Sequence, residues 1–367
     1  RTKSRDWRLI PAISSISPRE LEALSEYILS APGAIVARCA RRHEVPQDDM
    51  RQIARVFGFA WNRLRGYLGH RVFADLILGI AKHSRYTSAL REAMLKGGFE
   101  AVLDEQMVLL GELGDAKELA IFEQLSNCLL DRPSLIQFRQ GKNTKLRIPV
   151  QAVTPFAGGE QRKVGKKKGG RLRSDTLRRA FNSPFWPHVL CTTSVGQEGL
   201  DFHQWCRRIV HWDLPSDPVD FEQREGRIAR YASLAVRQSL GAQHGVEALA
   251  RAADGSPFSH LLTVASEQPS GRSGLERWWI PTVTKPVSVS FDWRFSLRSK
   301  RKEEMLDELL YYRLALGQPN PEAFMEMLKR VGAGQGNLRD LAIDLSAISR
   351  PRRRAGDPQS STLTSGT

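Results

Sequence analysis

Two short apolar runs rich in β-forming residues constrain the fold of this chain more than any other feature. They are HVLCTT at residues 188–193 and RRIVHW at residues 207–212. Turn residues bound each run and helical segments alternate with them, which is typical of buried strands in a parallel sheet. Ligands of such open sheets bind in the loops that follow the strands. The sequence therefore predicts an α/β fold with a parallel sheet and flanking helices.

Three polar residues follow the second predicted strand at fixed intervals. Gln223, Arg227 and Arg230 are spaced i, i+4 and i+7, so we expect one helix to present all three on one face near its start. Gly226 would let another backbone or a ligand come close to them. Guanidinium groups match phosphate oxygens, and a helix N-terminus favours an anion. Taken alone, this pattern also fits an exposed basic helix without a ligand.

The loop before the second predicted strand favours the ligand site over the plain basic helix. Two consecutive strand-to-loop exits would bring Thr193, Gly199 and Asp201 to the same sheet edge as the three residues above. The two loops together indicate a ligand site more specifically than either loop does alone.

These two stretches resemble a known family. TTSVGQEGLDF resembles motif V of superfamily 2 helicases and translocases, and QREGRIAR resembles their motif VI. The likeness is specific over residues 181–231. Residues 21–130, a basic loop and RKEEMLDELLYYRLALGQP resemble a bacterial subgroup of these helicases more loosely. The resemblance implies a second RecA-like lobe that carries an α-helical insertion and is followed by C-terminal helices.

The resemblance also implies roles for individual residues. Arg227 and Arg230 match the arginine fingers that reach the γ-phosphate of ATP, and Gln223 matches the residue that orients the attacking water or the phosphate. Gly199 and Asp201 match motif V positions that face the nucleotide, with Gly226 beside them. Thr192 and Thr193 match positions near the nucleic-acid backbone.

The sequence contains no GxxxxGK[ST] phosphate-binding loop. We also recognise neither the acidic box of motif II nor motif IV. We therefore expect this chain, which begins at Arg1, to be the C-terminal part of an ATP-hydrolysing helicase. ATP and its Mg²⁺ would be held by an N-terminal RecA-like lobe outside the chain, and the chain alone would be inactive.

Changes in composition and in hydrophobic pattern along the sequence predict five segments. They are a linker (1–14), a helical insertion (15–130), the second RecA-like lobe (131–240), a mixed and helical extension (241–348) and a disordered tail (349–367). Capping signals support particular helices: Ser17 and Glu20 around Pro18, and Asn320 before Pro321. Gly69 should end the helix that follows Asp48 and Asp49.

The net charge of +15 predicts a polyanionic partner. Lys166, Lys167 and Lys168 lie in a glycine-rich basic segment that we interpret as a loop tracking phosphates, or alternatively as a solvated insert. We expect nucleic acid, DNA rather than RNA. The alternative function is a non-enzymatic module that binds nucleic acid or docks a partner and keeps a helicase-like fold.

Scattered histidines and the absence of paired carboxylates at ligand spacing give a nuclease or deaminase no support, and we predict no metal site. Four widely spaced cysteines fit a reducing cytoplasm. No apolar run reaches the roughly 18 residues of a membrane span, so we expect no membrane partner.

Overall fold

The computed structural model describes residues 16–43, 58, 61–80, 85–96, 98–111, 121–129, 134–140, 144–150, 174–185, 187–192, 201–252, 255–268, 276–291, 301–331, 341–342 and 348. The chain divides into two compact units. The first comprises Arg1–Thr154, Gly165–Val189 and Ala248–Leu262. The second comprises Pro155–Val164, Leu190–Glu247 and Thr263–Thr367. The predicted linker and the predicted disordered tail lie outside the described residues.

Helices dominate the first part of the chain. They are α1 (Pro18–Ser30), α2 (Pro32–Arg42), α3 (61–68), α4 (Arg71–Ile80), α5 (Tyr86–Lys96), α6 (Phe99–Gly111), α7 (Ile121–Cys128) and α8 (Ser174–Phe181). Apolar residues of α2, α3, α5, α6 and α7 pack into one core whose fully buried members include Ile35, Leu103 and Met107. The predicted capping box at α1 is confirmed: Ser17 Oγ accepts from the Glu20 N–H, and Glu20 Oε2 accepts from the Ser17 N–H.

Two further sequence predictions of helix ends are confirmed. Gly69 follows the last residue of α3, and its N–H donates to the Arg65 carbonyl at 2.9 Å. Asn320 caps the later helix α14 (Pro321–Val331) by accepting from the Ala323 N–H through its side chain. Local capping chemistry therefore specifies these boundaries without help from tertiary packing.

The described strands form two small two-stranded sheets. β1 (Ser134–Gln140) and β2 (Thr144–Val150) pair antiparallel. β3 (Arg208–His211) and β4 (Val287–Ser290) pair parallel. The described part of the chain is thus mostly helical with one small parallel sheet, and the full parallel sheet of the predicted α/β fold is not seen in it.

The prediction of the first strand, at residues 188–193, is wrong for the residues that the structure describes. Residues 188–192 form no strand, and Val189 is 78% exposed. A buried strand needs a neighbouring strand that pairs with its backbone, and none of the described strands pairs with residues 188–192. The second predicted strand is confirmed as β3, but it is not fully buried, since Val210 is 53% exposed. Its partner is β4, which the sequence did not indicate.

The remaining helices follow β3 in the chain. They are α9 (Pro218–Gly226), α10 (Leu234–Arg251), α11 (Pro257–Glu267), α12 (Glu276–Trp279), α13 (Arg301–Ala315) and α14. Parallel pairing of β3 with β4 requires a crossover connection, and residues 212–286 supply it.

A buried carboxylate organises polar contacts in the first unit. The Asp104 side chain is 1% exposed. Its carboxylate lies 2.7 Å from Nε2 of His43 and accepts a hydrogen bond from the Ser256 hydroxyl at 2.6 Å. The Phe258 N–H also donates to it, at 3.3 Å. Burial raises the pKa of Asp104, but the hydrogen bonds from His43 and Ser256 outweigh this, so the pKa lies below its ordinary value. Ser256 in turn accepts from the Ser259 N–H at the start of α11.

We predict that Asp104→Ala lowers the free energy of unfolding by about 3–5 kcal/mol at neutral pH, because it leaves His43 and Ser256 buried without their acceptor. Glu22→Ala, on an exposed position of α1, is the matched control and should change it by less than about 0.5 kcal/mol. Because the folded-state pKa is lowered, the stabilisation is present above the ordinary aspartate range and is lost as the pH falls through the folded-state pKa. Chemical denaturation of the full chain across acidic pH measures both effects, and equal losses in the two variants would contradict this role.

Candidate functional site

An ion pair joins the two stretches that the sequence singled out. Arg230 Nε lies 2.8 Å from Asp201 Oδ1, and the side chains are 48% and 44% exposed. An ion pair this exposed contributes little stability, about 0–1 kcal/mol. Its importance is positional, because it places the two residues at one site on the surface of the second unit.

The backbone connects the same two stretches independently. The N–H of Phe202 donates to the carbonyl of Arg227 at 3.2 Å. Both residues are buried, as is Ile228 beside them. The residues next to Asp201 and those next to Arg230 therefore share packing and a hydrogen bond in addition to the ion pair.

The arginines lie beyond the end of α9 and not on its face. The helix ends at Gly226, Arg227 is its C-cap with φ −71° and ψ −24°, and Arg230 lies past the turn that follows. The prediction that Gln223, Arg227 and Arg230 share one helical face is therefore wrong, and only Gln223, which is exposed, lies within the helix. A physical reason is the weak helix propensity of Gly226. The Arg227 N–H then donates to the Arg224 carbonyl and tightens the turn.

The sequence also led us to expect the arginines near a helix N-terminus, where the helix dipole favours an anion. The structure does not place them there. Asp217 caps the N-terminus of α9 with its side chain, accepting from the Val219 N–H at 2.8 Å. Arg227 lies at the opposite end, where the helix dipole favours cations. A Cβ added to Gly226 would meet no described atom within 4 Å, so no described neighbour requires glycine there.

Arg237 is a positioning residue that the sequence analysis missed. Its side chain is almost fully buried and donates to the Ala232 carbonyl at 2.7 Å and to the Gln204 carbonyl at 2.5 Å. Its guanidinium also lies 5.5 Å from the centre of the Trp205 ring. It thus bridges the segment after Asp201 to the segment after Arg230. No short sequence motif surrounds Arg237. Its position in the first turn of α10 is therefore the only feature that could have pointed to this role.

His203 adjoins the Asp201–Arg230 pair. Burial lowers its pKa, the Asp201 carboxylate opposes this effect, and the cations Arg237 and Arg230 add to the lowering. The imidazole is therefore neutral at physiological pH and adds no positive charge beside Arg230. Its backbone carbonyl accepts from the Leu234 N–H at 2.9 Å.

Helix α13 contacts α9 and the loop before it. Arg313 forms an ion pair with Glu222, the neighbour of Gln223, and both side chains are largely buried. Near the other end of α13, Arg301 donates to the Ser216 carbonyl at 2.6 Å. Arg224 donates in turn to the Asp213 carbonyl at 3.1 Å. Contacts from α13 therefore hold the loop before α9 and the middle of α9.

The remaining predicted site residues are only partly described. Thr192 is exposed. Thr193, Gly199, Lys166, Lys167 and Lys168 lie outside the described residues. In the described ranges, no group of three or more His, Cys, Asp or Glu residues is arranged to hold a metal ion. None of the described helices combines the length and apolar character that a bilayer crossing requires.

Comparison with known proteins finds a family that resembles the segment containing this site. The family described as "Helicase conserved C-terminal domain" matches residues 169–232, which include Asp201, Arg227 and Arg230. This segment is therefore similar to the conserved C-terminal domain of helicases.

One curated relative is the protein described as "Uncharacterized ATP-dependent helicase YqhH" from Bacillus subtilis (strain 168). It is 28% identical over 158 residues, which is 43% of this chain and 23% of the relative. The match therefore spans less than a quarter of the relative's length. No solved structure matches the chain.

A double-mutant cycle tests the contact between α13 and α9. We predict a coupling free energy of about 1–3 kcal/mol between Glu222→Gln and Arg313→Gln, because the pair is largely buried. The exposed pair Arg71 and Asp75 serves as the control and should give at most about 0.5 kcal/mol. Urea denaturation of the full chain supplies the four free energies of each cycle. Equal coupling in the two pairs would show that the Glu222–Arg313 contact does not hold α9 in solution.

Proposed function

We propose that this chain is the C-terminal part of an ATP-dependent nucleic-acid helicase or translocase. In this proposal, Arg227 and Arg230 act on the γ-phosphate of ATP bound mainly by another lobe. The observation that carries it is the contact between Asp201 and Arg230 inside the matched helicase segment. This contact brings the ends of the two motif-like stretches to one place, as a shared nucleotide site requires.

The chemistry of a transferring phosphoryl group explains why arginines are needed. Charge develops on its oxygens in the transition state, and preorganised guanidinium groups stabilise that charge. With about half of its side chain exposed, Arg230 is the arginine that can exchange Asp201 for a phosphate with the smaller rearrangement. The largely buried Arg227 would become available only when the lobes close. Gln223 is exposed on α9 and could orient water or phosphate.

The binding of ATP and Mg²⁺ is assigned to a lobe outside this chain on sequence grounds. No GxxxxGK[ST] loop occurs in the 367 residues. The sequence has two Asp-Glu dipeptides, Asp104-Glu105 and Asp307-Glu308, and both lie inside helices, in α6 and α13. Neither follows a strand, the position from which a sheet edge would present an acidic pair to a bound metal ion.

The proposed polymer partner is nucleic acid, DNA in preference to RNA. The net charge of +15 supports a polyanionic partner. Lys166, Lys167 and Lys168 of the basic segment would contact its phosphates, as would Thr192, Thr193 and Gly199. The proposed setting is the cytoplasm, which the four free cysteines support.

The second candidate is a non-enzymatic module that binds nucleic acid or docks a partner. One observation favours it: Arg230 is paired with Asp201, and Arg227 is largely buried. Both guanidinium groups are thus accommodated within the chain itself. The two candidates make opposite statements about ATP turnover, so one set of variants separates them.

We predict that Arg230→Ala and Arg227→Ala, made in the longer protein that contains this chain, lower ATP turnover by about 10³-fold or more. Binding of nucleic acid without nucleotide should stay within about twofold, since neither arginine is assigned to the strand. Arg330→Ala, on an exposed position of α14, is the control and should leave turnover unchanged. Phosphate release at saturating ATP measures the effect.

Two outcomes would contradict this assignment. If turnover survives in both arginine variants, the fingers are elsewhere and the docking module is favoured. If the 367-residue chain alone hydrolyses ATP and Arg227→Ala abolishes that activity, a second lobe is unnecessary.

A further inference from the structure

An aromatic cluster directly follows Arg230 in the chain. The ring centre of Tyr231 lies 6.0 Å from that of Trp278 and 5.8 Å from that of Trp279. The planes of Tyr231 and Trp279 meet at 62°, so these two rings do not stack on each other. Tyr231 is 43% exposed and Trp279 is 49% exposed. Two large side chains that are each about half exposed therefore lie directly after an arginine of the candidate site in the chain or in contact with the residue that follows it.

The backbone that positions Tyr231 is strained. Ala232 has φ 49°, in the left-handed region that residues with a Cβ seldom adopt. Two hydrogen bonds hold it there: its N–H donates to the Trp278 carbonyl at 2.8 Å, and its carbonyl accepts from Arg237. Strain of this kind persists only where the surroundings impose it, and it concentrates at functional sites. Here it holds Tyr231 against α12.

The side chains around the two rings indicate the chemistry of a ligand. Arg230 precedes Tyr231 and is half exposed, and Ile280, which follows Trp279, is 52% exposed. Half-exposed aromatic side chains with an arginine adjacent in sequence, on a chain with a net charge of +15, match the combination by which proteins hold the bases of single strands. An apolar protein partner would need no cation beside the rings.

We propose that Tyr231 and Trp279 form a stacking site for a nucleobase. This inference deepens the proposed function, on which it rests for the identity of the polymer. The base could belong to a single strand or to a free nucleotide, since both offer the same ring face. The exposed apolar continuation at Ile280 and Val283 favours the strand, because a polymer would extend past one base.

The test measures equilibrium binding by the full 367-residue chain without hydrolysis. The probes are a fluorescently labelled oligothymidylate, its oligouridylate counterpart and a fluorescent ATP analogue. Trp279→Ala should weaken binding of at least one probe by about 5- to 150-fold, the effect of removing one stacked base. Tyr231→Ala should act in the same direction.

Three further variants separate ring stacking from simple apolar contact and from a general loss of binding. Trp279→Leu keeps an apolar side chain but has no ring face, so it should bind as weakly as Trp279→Ala. Trp279→Phe keeps a ring and should retain most of the affinity. Trp212→Ala is the matched control, because Trp212 is a more exposed tryptophan, at 67%, whose ring packs on Phe291 instead. It should bind all probes as the unsubstituted chain does.

Each outcome decides the proposal. Weakening confined to the oligonucleotides supports a strand base, and weakening confined to the ATP analogue supports the base of a nucleotide. Full affinity of Trp279→Leu for every probe overturns the stacking site, as does an unsubstituted chain that binds none of them. Circular dichroism and thermal melting of Trp279→Leu and Trp279→Phe show whether each variant is folded. Because no step requires turnover, this result is independent of the arginine experiment.

Discussion

The site depends on a set of buried hydrogen bonds, called the tether below, that join the segment before β3 to the segment after α9. The Phe202 N–H reaches the Arg227 carbonyl, and Arg237 joins the carbonyls of Gln204 and Ala232. Polar groups buried in this way are costly unless they are paired, so each one restricts the others. The exposed Asp201–Arg230 pair, which is weak by itself, is well defined because this tether holds both of its neighbours.

This arrangement gives the two arginines different mechanical properties. Because α9 stops at Gly226, Arg227 and Arg230 lie on a turn fixed by side-chain contacts and not on a rigid helical face. A turn of this kind can change its contacts without unwinding a helix. The Glu222–Arg313 contact holds the middle of α9 before this turn, and burial lowers the pKa of His203 beside it.

Local features of the sequence predicted local structure well. The capping box at Ser17, the helix end before Gly69 and the cap at Asn320 were all readable, because the residues that decide them lie within one helical turn. The strand at residues 208–211 was also predicted, from its apolar run. The sequence also identified the two stretches whose ends meet at Asp201 and Arg230, since their motif spacing is unusual.

Features set by distant parts of the chain could not be read. The partner of β3 begins at Val287, and nothing near Arg208 specifies it. The spacing of Gln223, Arg227 and Arg230 suggested one helix face, but the end of α9 at Gly226 overrode that periodicity. Arg237 and Asp104 each lie in a helix that contains several other polar residues, and only the folded chain shows the carbonyls and side chains that these two residues join.

The pairing of β3 with β4 has a practical consequence for the design of fragments. The helicase family matches the chain only as far as residue 232, and that limit is a natural place to end an expressed domain. Such a fragment would lose β4, the Trp278 carbonyl that holds Ala232, and the two arginines of α13 that hold α9 and its loop. It would leave an open strand edge on β3, and open edges invite aggregation. The folding unit around the site therefore extends at least to Ala315, well beyond its recognisable sequence signature.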